Sequence, residues 1–586
     1  MTHLTAEDVV ARVAAGRPFE GESLADLDLR GRMLAGAQLA GAKLHRVKLD
    51  GADLSNASLR SAEVLACSLE GVNLAGADLS EALVAMTPMK NARLSGARLH
   101  KARLVQADLS GADLSGAHIE ESVLSQADLR GAALTGATIT FVMFPGVNAA
   151  GARFTGAHLS RVTLGGADLT GASFAFATID QSSFSDATLV GADFSGATLE
   201  NAILSKADLT GAILPKTMNQ VIFGGAVLGQ ADLSGRTITA SEMSGLDLTG
   251  ANLEGATFTA VTLANTILAG ARLRGARFER AVLSGADLDG ADLTSTAFES
   301  SVLDGTRLRG ADFSGKTLKM VVLSNADLTG ASFAGASLDR CTAMGATFSG
   351  ADLTRASLSA VMLRDAKMDG VRLDRTLFDG VDMSNVDFRE VTLKGLTMTR
   401  CIFIGATLRG KTLTACNLTG SSFSETDLSA TVFEDCNLTM VIFRLAKMEL
   451  ANLSGATLKG AFFGEADVRR VNFSKAKLRY ATFTAANAAG ALFSNADLRE
   501  SLWIKANLEG CFFTEARMTY ADLSHANANR ADFSGADLSS AILHNLREGS
   551  TKWTGATLTS VKRTDLELLE AEAWLPPKRE TPQKRR

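Results

Sequence analysis

Ala107-Asp108-Leu109-Ser110-Gly111 is the unit from which most of this chain is written. It returns as Ala52-Asp53-Leu54-Ser55-Asn56 and as Ala286-Asp287-Leu288-Asp289-Gly290. The order is a small residue, Asp or Asn, a large apolar centre, Ser or Thr, then Gly. Centres fall every five residues from Leu24 to Leu214. A second run goes from Phe223 to Leu543 and resumes at Trp553 and Leu558. Between Leu214 and Phe223 the spacing is nine, so one residue has been dropped within Pro215-Lys216-Thr217-Met218-Asn219.

A period of five fits neither a helix nor a simple strand. It suits one short side followed by one turn. The centre and the small residue two before it point inward, and the other three positions face water. Gly serves the turn because it tolerates positive φ. Asp or Asn before the centre hydrogen-bonds nearby backbone, as these residues do in turns. A longer period of 20 shows in the aromatics: Phe403, Phe423, Phe443, Phe463, Phe483 and then Trp503. Phe473, Phe493, Phe513, Phe533 and Trp553 form a second series, and Phe258, Phe278 and Phe298 a third. Rings stacked on rings keep the core cross-section uniform from coil to coil.

At this regularity residues 22–560 resemble the pentapeptide-repeat family, which implies a right-handed, four-sided β-helix with four pentapeptides per coil. The expected fold class is therefore an all-β solenoid, a quadrilateral β-helix with short terminal capping helices, because open coils present unpaired strand edges. The expected organisation is an N-terminal capping helix in 1–20 and a first-register array in 21–214. A slip in 215–222, a second-register array in 223–560, and a capping helix with a basic tail in 561–586 complete it. Thr5 is the expected N-cap, Val9, Val10 and Val13 one helix face, and Gly16 its end. At the other end Asp565 to Trp574 predicts a short helix with Leu566, Leu569 and Trp574 toward the last coil.

The chain has 586 residues, 46% apolar, and a net charge of -5. That balance suits neither a nucleic-acid binder nor a strong polyanion mimic. No apolar run is long enough for a membrane span. Glu7, Asp8 and Arg12 interrupt the start, so it does not read as a signal peptide. Six scattered cysteines fit a reducing compartment, and the cytoplasm is the expected location.

No catalytic, cofactor-binding or metal-binding set emerges. His118 and His158 share a face but sit two coils apart with Thr138 between, ~10 Å by strand spacing and too far for one ion. Cys67, Cys341, Cys401, Cys416, Cys436 and Cys511 all occupy the inward slot that Ala normally fills. They read as small buried thiols; Cys416 and Cys436 stack in adjacent coils, a geometry poorly suited to a bridge. Gly-x-x-x-x-Gly recurs only because the repeat has period five, and no phosphate-loop Gly-Lys-Ser/Thr follows. Arg469, Arg470, Lys475, Lys477 and Arg479 form a mixed, solvated face with nearby acids. Lys578, Arg579, Lys584, Arg585 and Arg586 read as a solubilising tail.

One wall departs from the repeat. The residue before the centre, normally polar, is apolar at Leu83, Val123, Met143 and Ile203, then after the slip at Ile222, Val282, Val302, Val322, Met362, Ile402, Ile442, Phe462, Leu502 and Ile542. The adjoining corner adds Phe141, Met320, Met440, Tyr480 and Tyr520. Either this wall has a turn that partly buries the position, or Val282, Val302, Val322, Met362, Ile402, Ile442, Phe462 and Leu502 form a protein-binding stripe. The expected function is a non-enzymatic scaffold or adaptor that binds a protein or a second copy of itself. The alternative is a DNA mimic acting on a type II topoisomerase, as family members do, but those are short rods with strongly negative faces. The leader from Leu4 to Gly16 resembles the lead-in of pentapeptide arrays encoded with bacterial type VI secretion systems, which implies an accessory or effector-loading role.

Overall fold

The computed structural model describes residues 4–229 and 232–574. It is a parallel β-solenoid whose repeating unit is the five-residue side and turn. Four columns of parallel pairs account for each coil. Near the start they are Asp28 with Lys48, Met33 with Asp53, and Gln38 with Ser58, and the strand Lys43–His45 with Glu63–Leu65. The same partners recur one coil later, which makes the structure four-sided. The chain divides into two compact units, Met1–Leu308 and Arg309–Arg586.

Local bonds explain why a pentapeptide closes one side. The amide of Asp53 donates to Arg32 O at 2.9 Å and that of Leu54 to Asn73 O at 2.7 Å, so successive residues bond to opposite neighbouring coils. The turn closes with Ala57 N donating to Leu54 O at 3.0 Å. The aspartate before the centre fastens the turn from outside: Ser55 N donates to Asp53 Oδ1 at 3.0 Å and Thr249 N to Asp247 Oδ1 at 3.0 Å. The residue two after the centre takes positive φ, 66° at Gly111 and 55° at Asn56. Among the described non-glycine residues with positive φ none is Val, Ile or Thr, because a branched Cβ collides with the backbone there.

Inside, the expected ring series are stacks. Phe443 lies 4.9 Å from Phe463, which lies 4.4 Å from Phe483, with Trp503 4.0 Å further on. The second series crosses it edge-on, Phe483 against Phe493 at 5.8 Å and 90°.

The dropped residue leaves one short coil in the first unit. Leu199 pairs with Met218 and Ile203 with Ile222, an offset of 19 in place of 20. Arg236 stands against this site, its buried Nε without a partner among the described residues. It stands in the inward slot two before Ile238, and its guanidinium donates to Leu214 O at 3.3 Å and Ser234 O at 2.8 Å.

The N-terminal helix α1, Ala6–Ala14, has the predicted Thr5 cap, closed reciprocally with Asp8. Val9 and Phe19 are buried, Val10 and Val13 half-buried. The C-terminal helix α2, Leu566–Ala573, starts at its N-cap Asp565 but does not pack as expected. Leu566 is 71% and Trp574 68% exposed, and Leu569 is only half-buried. Trp553 and Leu558 of the last coil stay half-exposed. The helix turns Leu568 and Glu572 toward the wall instead. The basic residues from Lys578 to Arg586 lie outside the described residues.

Candidate protein-interaction surface

The residue before each centre points outward because neighbouring positions on a strand alternate faces. In the first unit Val282 and Val302 are paired neighbours on this wall, both half-buried. In the second unit Val322 is half-buried, while Met362, Ile402, Ile442, Phe462 and Leu502 are 37–50% exposed. Asp382, Ser422 and Thr482 in the same column are half-buried, so the column leaves an outward side chain at least partly open whether it is apolar or polar. Ile442 and Phe462 are direct partners, and Thr482 separates Phe462 from Leu502. Gly464 follows the centre here in place of Ser or Thr, and the Phe462 ring lies against it, where any Cβ would collide. Ion pairs border the stripe, Arg364 with Asp382 at 3.2 Å and Arg444 with Glu465 at 3.4 Å.

The adjoining corner carries a conformational cost. Phe141, Met320, Met440, Tyr480 and Tyr520 occupy the glycine position with φ between 53° and 64°. A side chain in this region costs about 1–2 kcal/mol relative to the right-handed one. All five are exposed, so burial does not offset it. Arg479 covers Tyr480 at 4.7 Å and Arg161 covers Phe141 at 4.9 Å.

The thiols sit where expected. All six cysteines are buried and free; Cys416 Sγ donates to Leu393 O at 2.8 Å and Cys436 Sγ to Leu413 O at 2.6 Å. Burial pushes the Cys401 and Cys511 thiols up to about 12, far from reactive thiolates. Thr138 separates His118 from His158 as predicted.

Two constellations among the described residues escaped the sequence: His100 with Glu120 and Glu121, and a second near the C-terminal end. His525, His544 and Glu572 converge, with Glu572 Oε2 at 3.1 Å from His525 Nε2 and 3.4 Å from His544 Nε2. The donors behind the rings indicate which nitrogen carries the proton when a ring is neutral. The amide of Asp565 donates to His544 Nδ1 at 3.2 Å, and the Asn545 side-chain amide to His525 Nδ1 at 3.1 Å. With Nδ1 accepting, each neutral ring carries its proton on Nε2 and donates it to the carboxylate. A metal would need those same Nε2 lone pairs, so the arrangement fits a carboxylate clamp and not a cation site. Desolvation raises the Glu572 pKa, but the bonds from His544 and His525 outweigh it and hold the carboxyl below its usual range. No helix among the described residues is long and apolar enough to cross a membrane.

Comparison with known proteins agrees with this architecture. Models described as pentapeptide repeats (8 copies) match in successive stretches, 23–63, 89–148, 150–214, 218–315, 322–395 and 476–547. One described as a pentapeptide repeat region matches 396–472. No curated protein matches the chain in sequence. Among solved structures, HetL of the cyanobacterium Nostoc sp. strain PCC 7120 is a pentapeptide repeat protein involved in heterocyst differentiation regulation. It is 32% identical, over 39% of this chain and 97% of its own, with a TM-score of 0.25. QnrB1, a plasmid-mediated fluoroquinolone resistance protein, is 19% identical over 35% of this chain and 89% of its own, TM-score 0.17. A pentapeptide repeat protein from the Arabidopsis thaliana thylakoid lumen is 26% identical over 23% of this chain and 69% of its own, TM-score 0.11. Repeat, register and family match together place this chain in the pentapeptide repeat family.

Proposed function

We propose that the chain is a non-catalytic protein-binding scaffold whose contact surface is the apolar stripe, read by a partner protein or by a second copy. The observation that supports this most is the cost borne at the stripe and its corner. Apolar residues replace Asp or Asn on this wall more often than on any other, although Ile213, Leu492 and Phe512 do so on the opposite wall, and large side chains replace Gly beside it, while all stay accessible. Burying a Phe or Ile there contributes about 1.5–3 kcal/mol each, so a few contacts anchor a complex. The acidic columns are poorly suited to mimicking DNA, since Arg372 pairs with Asp352 at 2.6 Å, Arg309 with Asp327 at 2.6 Å and Arg130 with Asp128 at 2.5 Å. An accessory role in type VI secretion rests on the leader from Leu4 to Gly16 alone, and a cytoplasmic location on the free cysteines.

A photo-reactive benzoylphenylalanine at Phe462 tests the surface, with the same residue at Asn507 on another wall as control. The expected result is a discrete cross-linked species, heteromeric or dimeric, from position 462 only. Equal adducts from both positions, or none from 462, contradict the proposal.

A further inference from the structure

The stripe wall ends in a groove of about 780 Å³, between Ile504, Ile542, His525 and His544 on the coils and Leu568 and Glu572 on α2. Ile542 is the last apolar residue of the stripe column, and Ile504 stands two residues beyond Leu502 on the same wall. The helix therefore already lies on the surface assigned to a partner.

We infer that this groove is a seat for an acidic amphipathic helix of a partner protein, and that α2 fills it in cis as a weak stand-in. The inference rests on the stripe being a protein-binding surface and names the chemistry of what binds there. The seat reads two features at once. Ile504 and Ile542 receive an apolar side chain, which α2 supplies as Leu568. The two Nε2–H groups of His525 and His544 converge on a single carboxylate oxygen, which α2 supplies as Glu572. Leu568 and Glu572 are four residues apart, one turn, so both fall on one helix face. Asn545 on the coils holds His525 Nδ1, and the cap residue Asp565 holds His544 Nδ1, so with the cap in place both Nε2 protons point into the groove as a cradle for a carboxylate. Lys505 and Asp522 also line the groove.

The occupant holds poorly. No residue of α2 is buried, and Leu566 and Trp574 face solvent. Its eight residues span about 12 Å at 1.5 Å each. The column from Ile542 back through Leu502 and Phe462 to Ile442 is longer, about 24 Å for five coils at ~4.8 Å. A partner helix of roughly 16 residues reaches that far. Such a helix keeps the leucine and carboxylate of the seat and adds the apolar contacts that α2 is too short to make.

A labelled synthetic peptide with the sequence Asp565–Trp574 is the probe, titrated by fluorescence anisotropy into the full-length protein and into Glu572→Ala. In the variant the resident helix loses its carboxylate, so the peptide should bind at least fivefold more tightly than to the parent. Adding His525→Ala to that variant should weaken the peptide about tenfold, and a peptide carrying Glu572→Ala should not bind. Equal affinity for parent and variant, or indifference to His525→Ala, overturns the seat. Uptake of one Zn²⁺ per chain that is lost in His525→Ala also overturns it, because the cluster is then a metal centre. The cross-link from position 462 is independent. If it forms while the peptide fails, only the seat falls; if the peptide binds while the cross-link fails, the stripe reading falls.

Discussion

Phe463 and Phe462 stand side by side, and the wall of the coil divides them. Phe463 is fully buried, stacked on Phe443 at 4.9 Å and Phe483 at 4.4 Å. Phe462 is 37% exposed and rests on the bare backbone of Gly464. Residue type is the same, so hydrophobicity does not decide which ring is core. Position in the five-residue register does. An apolar residue at the centre stabilises the coil, whereas one at the preceding position is offered to something outside it.

The largest way to break this contrast is to empty the inner position. Phe463→Ala should cost about 3–5 kcal/mol. Because a solenoid couples mainly to its nearest repeats, amide protection should fall within a few coils of residue 463. A uniform loss of protection across the second unit would contradict that coupling.

Acid should act more diffusely, through the outward aspartates that fasten the turns. Side-chain and backbone donors of Ser55, Thr249 and Ser314 hold Asp53, Asp247 and Asp312 below the usual carboxylate range, and Arg130 does the same at Asp128. Asp28 reaches about 2 beside Arg30. These folded pKa values lie below the unfolded ones, so their stabilisation is complete above about pH 4 and fades as pH falls through the folded values. The thermal midpoint should be flat from about pH 7 to 5 and drop between about 4 and 2. A midpoint that rises on acidification would show that the aspartates act otherwise.

A smaller effect of opposite sign is expected at the corner. Met440→Gly removes a side chain held at φ 58° and should stabilise by about 0.5 kcal/mol, the relief of left-handed strain less the greater freedom of unfolded Gly. It should also weaken partner binding, and a net loss of stability would mean that Met440 packs within the chain.

Much of this was legible in the sequence because a five-residue period assigns every position a direction. The ring stacks and the buried slots of the cysteines follow from it. The short coil followed too: the stripe keeps its column across the missing residue, Ile203 pairing with Ile222. What the period does not govern was not legible. Glu572 belongs to α2, outside the repeats, so nothing in the spacing brings it to His525 and His544. Arg236 in an inward slot was visible, but its bond to Leu214 O depends on how one short coil settles against the next. The expected packing of Leu566 and Trp574 failed because α2 is held through its cap, Leu568 and one carboxylate, on a different face from the one that carries Leu566 and Trp574.

The central claim is that the stripe faces a partner and not the core. Changing Ile402, Ile442 and Phe462 together to Asp tests it, with thermal unfolding and partner capture or sedimentation measured on the same sample. Surface changes of this kind each shift stability by no more than about 0.5 kcal/mol, so the predicted result is an almost unchanged melting transition with association abolished. Unfolding of the variant would show these side chains to be core, and a folded variant that still binds whatever the parent binds would show that the stripe is not the interface.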